Sequence, residues 1–211
     1  MDLTARWFGD RAVLVDVQEP AQREQVAALL AGEFPDLQVR RGMVSVLVEV
    51  DAPEAHLLDR VNSALSEVAV SSVLRPGSAT AHVVRATYDG EDLEEVSQLL
   101  QATTSAVVQA HLAQTWRVAM IGFAPGFAYL EPVGPVTMDW ARVPRRDTPR
   151  SRVPAGSLAL AAGMSAVYPA SMPGGWHLVG TTREVMFDPA RGDRPALLAP
   201  GDDVRFEVGD E

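Results

Sequence analysis

The 211-residue chain contains no cysteine and no lysine; all 18 of its basic residues are arginine. Without cysteine there are no disulfides, zinc–thiolate sites or thiol nucleophiles, so packing alone must supply stability. Without lysine there is no lysine-bearing phosphate loop, no Schiff base and no lysine general base. Long apolar runs are missing as well, and a bilayer span needs about 20 such residues. The first ten residues lack a basic stretch followed by an apolar core, so the expectation is a cytoplasmic protein without a secretory signal. Positive charge is scarce overall: 28 acids against 18 arginines leave a net charge of −10, which speaks against nucleic acid as a partner.

The charge is unevenly spread. Residues 1–121 carry 17 acids and 9 arginines and residues 183–211 carry 8 and 4, but residues 122–182 carry 3 acids and 5 arginines and are net positive. An arginine cluster on an acidic protein points to an anionic small molecule, or an acidic partner surface, meeting the chain there.

Length and a hydrophobic fraction of 47% suit two small domains, each with its own core. In the first, Ala12–Val17 reads as a strand and Ala21–Leu30 as a helix, with Val26, Leu29 and Leu30 on one face. Leu37–Arg41 and Val44–Val50 read as a hairpin around Arg41-Gly42-Met43. Pro53 suits a first helical turn, and Leu57, Leu58, Val61 and Leu65 continue as an apolar stripe. This β-α-β-β-α order, closed by one more strand at Val68–Leu74 or Ala81–Ala86, matches a ferredoxin-like α/β sandwich. The breaker Arg75-Pro76-Gly77-Ser78 sets the expected domains at 1–78 and 79–211.

In the second domain Ala81–Thr87 reads as a strand, helices run through Leu93–Leu100 and Ser105–Gln114, and Trp116–Ile121 is a strand. The texture then changes: residues 122–182 hold 8 of the 16 glycines and 8 of the 15 prolines, leaving room for no helix longer than a turn or two. Strands predicted at Ser157–Ala162, Ala166–Tyr168, His177–Val179, Val185–Phe187 and Val204–Val208 alternate with turn clusters, the pattern of a small β-barrel or sandwich.

Three runs in this window carry candidate chemistry. Ile121 to Leu130 combines two glycines, a proline and three aromatics, too constrained for a free loop; a packed turn with a hydrophobic anchor explains it equally. From Pro144 to Ser157, prolines 144, 149 and 154 stiffen a backbone bearing four arginines, which then lose little entropy on meeting a carboxylate or phosphate. Arg146 and Arg152 are equally suited to pairing with surface acids. Met172-Pro173-Gly174-Gly175-Trp176 offers unobstructed backbone amides for an oxyanion beside a flat ring.

In this order the three runs resemble the allophanate hydrolase subunit 1 family, also known as the KipI family or the family of the 5-oxoprolinase B subunit (PxpB). The resemblance extends to Gly9–Val15, to Tyr88-Asp89-Gly90-Glu91-Asp92-Leu93, to His111, to Phe187-Asp188-Pro189 and to Pro200–Phe206. It implies an α+β architecture, with a ferredoxin-like N-terminal domain followed by a cyclophilin-like β-barrel. It also implies partners, allophanate hydrolase subunit 2 of related barrel fold and a LamB/YcsF-type subunit, in an ATP-dependent 5-oxoprolinase that opens 5-oxo-L-proline to L-glutamate. ATP and its Mg2+ belong to the complex; no ATP-binding, metal-ligand or Ser-His-Asp motif is legible in this chain, which is expected to be inactive alone. The ligand-binding set on this reading is Phe123, Pro125, Gly126 and Phe127; Arg145, Arg150, Pro154, Ala155, Gly156 and Ser157; Tyr168; and Pro173, Gly174, Gly175 and Trp176.

Arg145 and Arg150 would hold the substrate carboxylate or a phosphorylated intermediate, and the Gly174-Gly175 amides would steady negative charge. His111 is a candidate acid–base group or a structural histidine. Two departures stand out. Gly163-Met164-Ser165-Ala166-Val167 replaces the family's Gly-x-Gln-Thr-Gly, and Gly180-Thr181-Thr182 replaces its Gly-Arg-Thr. Allophanate is an alternative substrate, and a KipI-like inhibitor of a sensor histidine kinase is an alternative role. A peptidyl-prolyl isomerase would rest on fold analogy alone.

Overall fold

In the computed structural model, which describes residues 3–68 and 80–209, the alternating valines of two predicted strands stand opposite one another. Val13 and Val15 of β2 (Ala12–Asp16) pair in antiparallel register with Val48 and Val46 of β4 (Ser45–Glu49). The period of two puts all four on one face, and all are fully buried. Helices α1 (Pro20–Glu33) and α2 (Leu57–Val68) supply Val26, Leu30, Leu57, Val61 and Leu65 to the same core; each such side chain contributes roughly 1.5–3 kcal/mol on burial. The sheet order is β1-β2-β4-β3, with β1 at Ala5–Trp7 and β3 at Gln38–Arg41. This first compact unit covers Met1–Ala79, the second Thr80–Glu211.

Three expectations for the first unit need correction. Helix α2 starts at Leu57, and a turn over residues 54–57, closed by the Leu57 amide on the Glu54 carbonyl, leads into it, so Pro53 precedes the helix. The edge beside β2 is taken by β1, a strand too short to stand out in the sequence. Of the two candidate closing strands, Ala81–Ala86 joins the second unit, where it finds a six-residue partner. Val68 ends α2, and the rest of Val68–Leu74 lies outside the described residues.

The second unit contains β5 (Ala81–Ala86), α3 (Leu93–Leu100), α4 (Thr104–Ala113), β6 (Thr115–Ile121) and β7 (Ala128–Val133). There follow β8 (Arg150–Val153), β9 (Ser157–Ala161), β10 (Met164–Val167), β11 (Met172–Gly174), β12 (His177–Thr181) and β13 (Asp203–Val208). Seven of these strands form one sheet, β12-β9-β10-β7-β6-β13-β5, parallel only between β13 and β5; β8 and β11 pair separately. The sheet curls until its edges touch. Thr87 and Thr181 exchange backbone hydrogen bonds of 2.8 Å, an approach that requires Gly180, where a Cβ would lie 2.3 Å from the Thr87 carbonyl oxygen. Val185–Phe187 forms no strand: it makes a single bridge, Phe187 to Ala196, too little for a ladder.

Both faces of β9 are covered. Leu158 and Leu160 enter a core with Val96, Leu100, Val107 and Trp116, while Ala159 and Ala161 face an aromatic cluster of Phe127, Tyr168 and Trp176. Alternation along one strand thus divides the unit into a structural core and a second, aromatic face. No helix among the described residues is long and apolar enough to cross a membrane.

Candidate functional site

The aromatic face is organised by a tight turn. The Phe127 amide donates to the Ala124 carbonyl (3.0 Å) around Pro125 and Gly126, whose φ of +78° is the glycine position of a type II turn. A Cβ on Gly126 would lie 2.6 Å from Phe187 Cβ. Phe123 also has positive φ, +69°. For a bulky residue this costs about 1–3 kcal/mol and is characteristic of functional sites. Its ring is 66% exposed and meets the buried Phe127 ring edge-on at 5.5 Å. Phe127 in turn makes edge contacts with Tyr129, Tyr168 and Trp176 at 5.0, 5.2 and 5.9 Å.

These rings wall a pocket of about 280 Å³ that the three runs build jointly: Phe123, Phe127 and Tyr129 from the first, Arg145, Arg146 and Pro149 from the second, Pro173 to Trp176 from the third, with Tyr168 between them. Gly174 lies against Tyr168, whose hydroxyl oxygen would be 2.1 Å from a Cβ there. Burial raises the Tyr168 pKa, although the Trp176 backbone amide and the charges of Arg145 and Arg150 oppose it. Burial likewise raises that of Tyr129 against the pull of Arg145. Both phenols are therefore protonated donors at neutral pH. Arg145 is exposed and forms no ion pair among the described residues.

The other arginines of the run are held. Arg146 Nη1 and Arg150 Nη2 each donate to Asp92 Oδ1 at 2.8 Å. Arg146 also reaches Glu95 (3.2 Å) and Arg150 reaches Glu91 (2.9 Å), while Arg152 bonds the Ser171 hydroxyl rather than an acid. Asp92 Oδ2 accepts the Leu178 amide at 2.7 Å. Burial pushes the Asp92 carboxyl upward, but hydrogen bonds from Arg150 and Leu178 and the two guanidinium charges outweigh it and hold it below the ordinary carboxylate range. Arg146 N also donates to the Gly175 carbonyl at 2.8 Å, so Asp92 indirectly ties the arginine wall to the glycine wall. Asp92, Glu95 and His177 bring three potential metal ligands within 4.8 Å. Arg146 already bridges the two carboxylates and occupies the cationic place, so the trio is a poor metal site.

Several nominated residues lie elsewhere. His111 is fully buried in the other core, with Nδ1 2.7 Å from the Tyr88 hydroxyl and Nε2 3.0 Å from Ser165 Oγ. Burial pushes its pKa down to about 3. Ser165 and Ala166 are consecutive on β10 and face opposite ways, Ser165 to His111 and Ala166 to the aromatic cluster. Gly156 (φ +80°) packs on the Thr182 carbonyl and donates its amide to Tyr168 O, and the Tyr168 amide donates to Ser157 O, so Gly156 and Ser157 hold the Tyr168 backbone; Pro154, Ala155, Gly156 and Ser157 do not line the pocket. Pro125 and Gly126 shape the turn without lining the pocket.

Thr181 bonds Asp89 beside the sheet seam, in an open cleft of about 680 Å³. That larger cleft sets Arg85 and Arg183 against Asp89 and Glu184 and so offers no net charge to an anion. Four residues of the site are not in the ligand-binding set expected from sequence: Tyr129, Arg146 and Pro149, which lie in the first two runs and line the pocket, and Asp92, which stands in the Tyr88–Leu93 run but has no feature there that marks it as a partner of distant arginines.

Residues 3–198 match the model of the carboxyltransferase domain, subdomain C and D. The 5-oxoprolinase B subunit of Escherichia coli O157:H7 is 34% identical over 207 residues, 94% of this chain and 93% of the relative. The crystal structure of TTHA0988 is 32% identical with a TM-score of 0.74 over 95% of this chain, which spans 40% of that longer one. K. lactis urea amidolyase, at 18% identity and a TM-score of 0.77, covers 98% of this chain with 15% of its own length and shares the fold. Matched by the family model over almost all its length, and by a relative covered nearly end to end, the chain belongs to the carboxyltransferase domain, subdomain C and D, family, alongside the B subunit of 5-oxoprolinase.

Proposed function

We propose that this protein is the B subunit of a cytoplasmic 5-oxoprolinase, a hydrolase subunit that helps an ATP-dependent complex open the lactam C–N bond of 5-oxo-L-proline to give L-glutamate. The observation that carries this reading is the convergence of three separate runs on one small aromatic pocket beside Arg145. At about 280 Å³ the pocket is below the roughly 300–1,000 Å³ usual for drug-sized ligands, in keeping with a small ring carboxylate. Arg145 takes the carboxylate, and the edges and faces of Phe127 and Trp176 take the ring.

On this reading the Tyr129 hydroxyl and the Gly174-Gly175 amides, which line the same pocket, donate to the lactam oxygen. Hydrolysis breaks the C–N bond, puts the oxygen of water on the carbonyl carbon and a proton on nitrogen, and loads negative charge on the carbonyl oxygen, where such donors stabilise it. Arg150, held by Asp92 and Glu91, positions the wall rather than meeting substrate.

A nucleoside triphosphate with Mg2+ does not suit this pocket, which is too small for it, and a chain without lysine has no lysine-bearing phosphate loop. Nucleotide chemistry is assigned to the partners, a subunit 2 of related barrel fold and a LamB/YcsF-type subunit. On the same reading residues 1–78 are a ferredoxin-like domain and residues 79–211 a cyclophilin-like barrel.

The test is reconstitution of the three purified subunits with ATP, Mg2+ and either 5-oxo-L-proline or allophanate. L-Glutamate is expected only when this chain and both partners are present. Undiminished glutamate formation without this chain, or turnover of allophanate alone, contradicts the proposal.

A further inference from the structure

Arg145 and Arg146 line the pocket, and Arg146 shares one carboxylate with Arg150. Asp92 is 5% exposed and accepts Arg146 and Arg150 on the same oxygen. Glu91 and Glu95 also pair with these guanidiniums from side chains that are 65% and 53% exposed; water weakens each of these pairs, so Asp92 supplies the largest share of the counter-charge and the three acids together offset the two guanidiniums. Both guanidiniums keep a free donor: Arg146 Nε and Arg150 Nη1 are buried and have no hydrogen-bond partner among the described residues. Unpaired buried donors are costly, about 1–3 kcal/mol each, and call for a reason. Arg146 lines the pocket, and the charge of Arg150 is felt at the Tyr168 hydroxyl on its wall.

We propose that Asp92 sets the charge class of ligand the pocket accepts: by holding Arg146 and Arg150 it leaves Arg145 as the one cation of the pocket lining without an ion pair among the described residues, so the pocket takes a monocarboxylate and refuses a dianion. A second anionic group entering the pocket would be desolvated against guanidiniums whose charge the acids already offset, which is unfavourable. This inference builds on the 5-oxoprolinase reading and extends it. The substrate has one carboxylate and a neutral lactam; opening the ring adds an ammonium and a second carboxylate, and that second carboxylate finds no uncompensated cation in the pocket, so the device that admits the substrate also disfavours retention of the product.

The experiment is calorimetric titration of the full chain with three probes, 5-oxo-L-proline, glutarate and inorganic phosphate, comparing wild type with Asp92→Asn. The substitution keeps the side-chain shape and removes the charge. Glutarate and phosphate are expected to bind Asp92→Asn about tenfold or more tightly than wild type, with no matching gain for 5-oxo-L-proline. Equal loss for all three probes would show a merely structural role and overturn the proposal. Glu95→Gln, at an exposed position, is expected to shift the same ratio in the same direction by a smaller factor. It supplies the answer should Asp92→Asn not fold, and an unchanged ratio there overturns the proposal. Failure of wild type to bind 5-oxo-L-proline counts against the 5-oxoprolinase reading alone, because the gain in dianion binding is measured independently of it.

Discussion

His111 and Phe123 show two different costs carried by single residues. Burial pushes the His111 pKa down to about 3, from about 6.5 in an unfolded chain. Between those values the unfolded state binds a proton that the folded state refuses, so stability is fully present above about pH 6.5. It is lost by about 1.4 kcal/mol per pH unit as pH falls toward 3. His111→Gln, which strands the Tyr88 and Ser165 hydroxyls, is expected to be less stable at pH 7 by about 1–3 kcal/mol. Its stability should also vary less between pH 6.5 and 5. Urea melts of both proteins across that range decide the matter, and identical pH slopes would refute the linkage. Phe123 carries backbone strain with an exposed ring. Phe123→Gly relieves the left-handed conformation, so its melting midpoint should equal or exceed that of wild type, by up to about 1 kcal/mol in stability, while ligand affinity falls. A clear loss of stability would mean that the ring is held for packing.

The edges of the seven-stranded sheet meet through the Thr87–Thr181 hydrogen-bond pair and the bond from Thr182 Oγ1 to the Arg85 carbonyl, and Gly180 makes the approach possible. Gly180→Ala sets a methyl group against the Thr87 carbonyl oxygen and is expected to cost about 1–3 kcal/mol. Gly32→Ala in α1, with nothing within 4 Å of the added Cβ, should instead be neutral or stabilise by up to about 1 kcal/mol. Thermal denaturation of the pair checks the contrast.

Elements governed by strong periodicity are legible in the sequence itself. The valine alternation of β2 and β4 and the stripes of α1, α2 and α3 follow from burial of a single face. Strands β1, β8 and β11 are not legible there: they have 3, 4 and 3 residues, and β8 and β11 are set amid arginine, proline and glycine, so distant pairing rather than local pattern makes them strands. Val185–Phe187 has the pattern but finds only a single bridge. The three runs of the site are visible as anomalies of composition. The role of Asp92 is not, because its arginines lie 54 and 58 residues away. Nor can His111 be placed from sequence, since the side of β10 it faces is known only once the sheet has curled.

Across the whole molecule, an acidic chain of net charge −10 keeps Arg145 free beside an aromatic box, and Asp92 prevents the neighbouring guanidiniums from adding to it. On the proposed reading that division lets a protein with an arginine-rich run select a small monoanion. This subunit's contribution to hydrolysis, on the same proposed reading, is to bind and orient the ring, with the nucleotide handled by its partners. The most direct test is the steady-state kinetics of Arg145→Gln in the reconstituted three-subunit assembly. Loss of a charge-assisted hydrogen bond worth about 1.5–3 kcal/mol predicts a rise in KM for 5-oxo-L-proline of about 10- to 100-fold, with the KM for ATP unchanged. An Arg145→Gln assembly with wild-type KM for 5-oxo-L-proline would contradict the account.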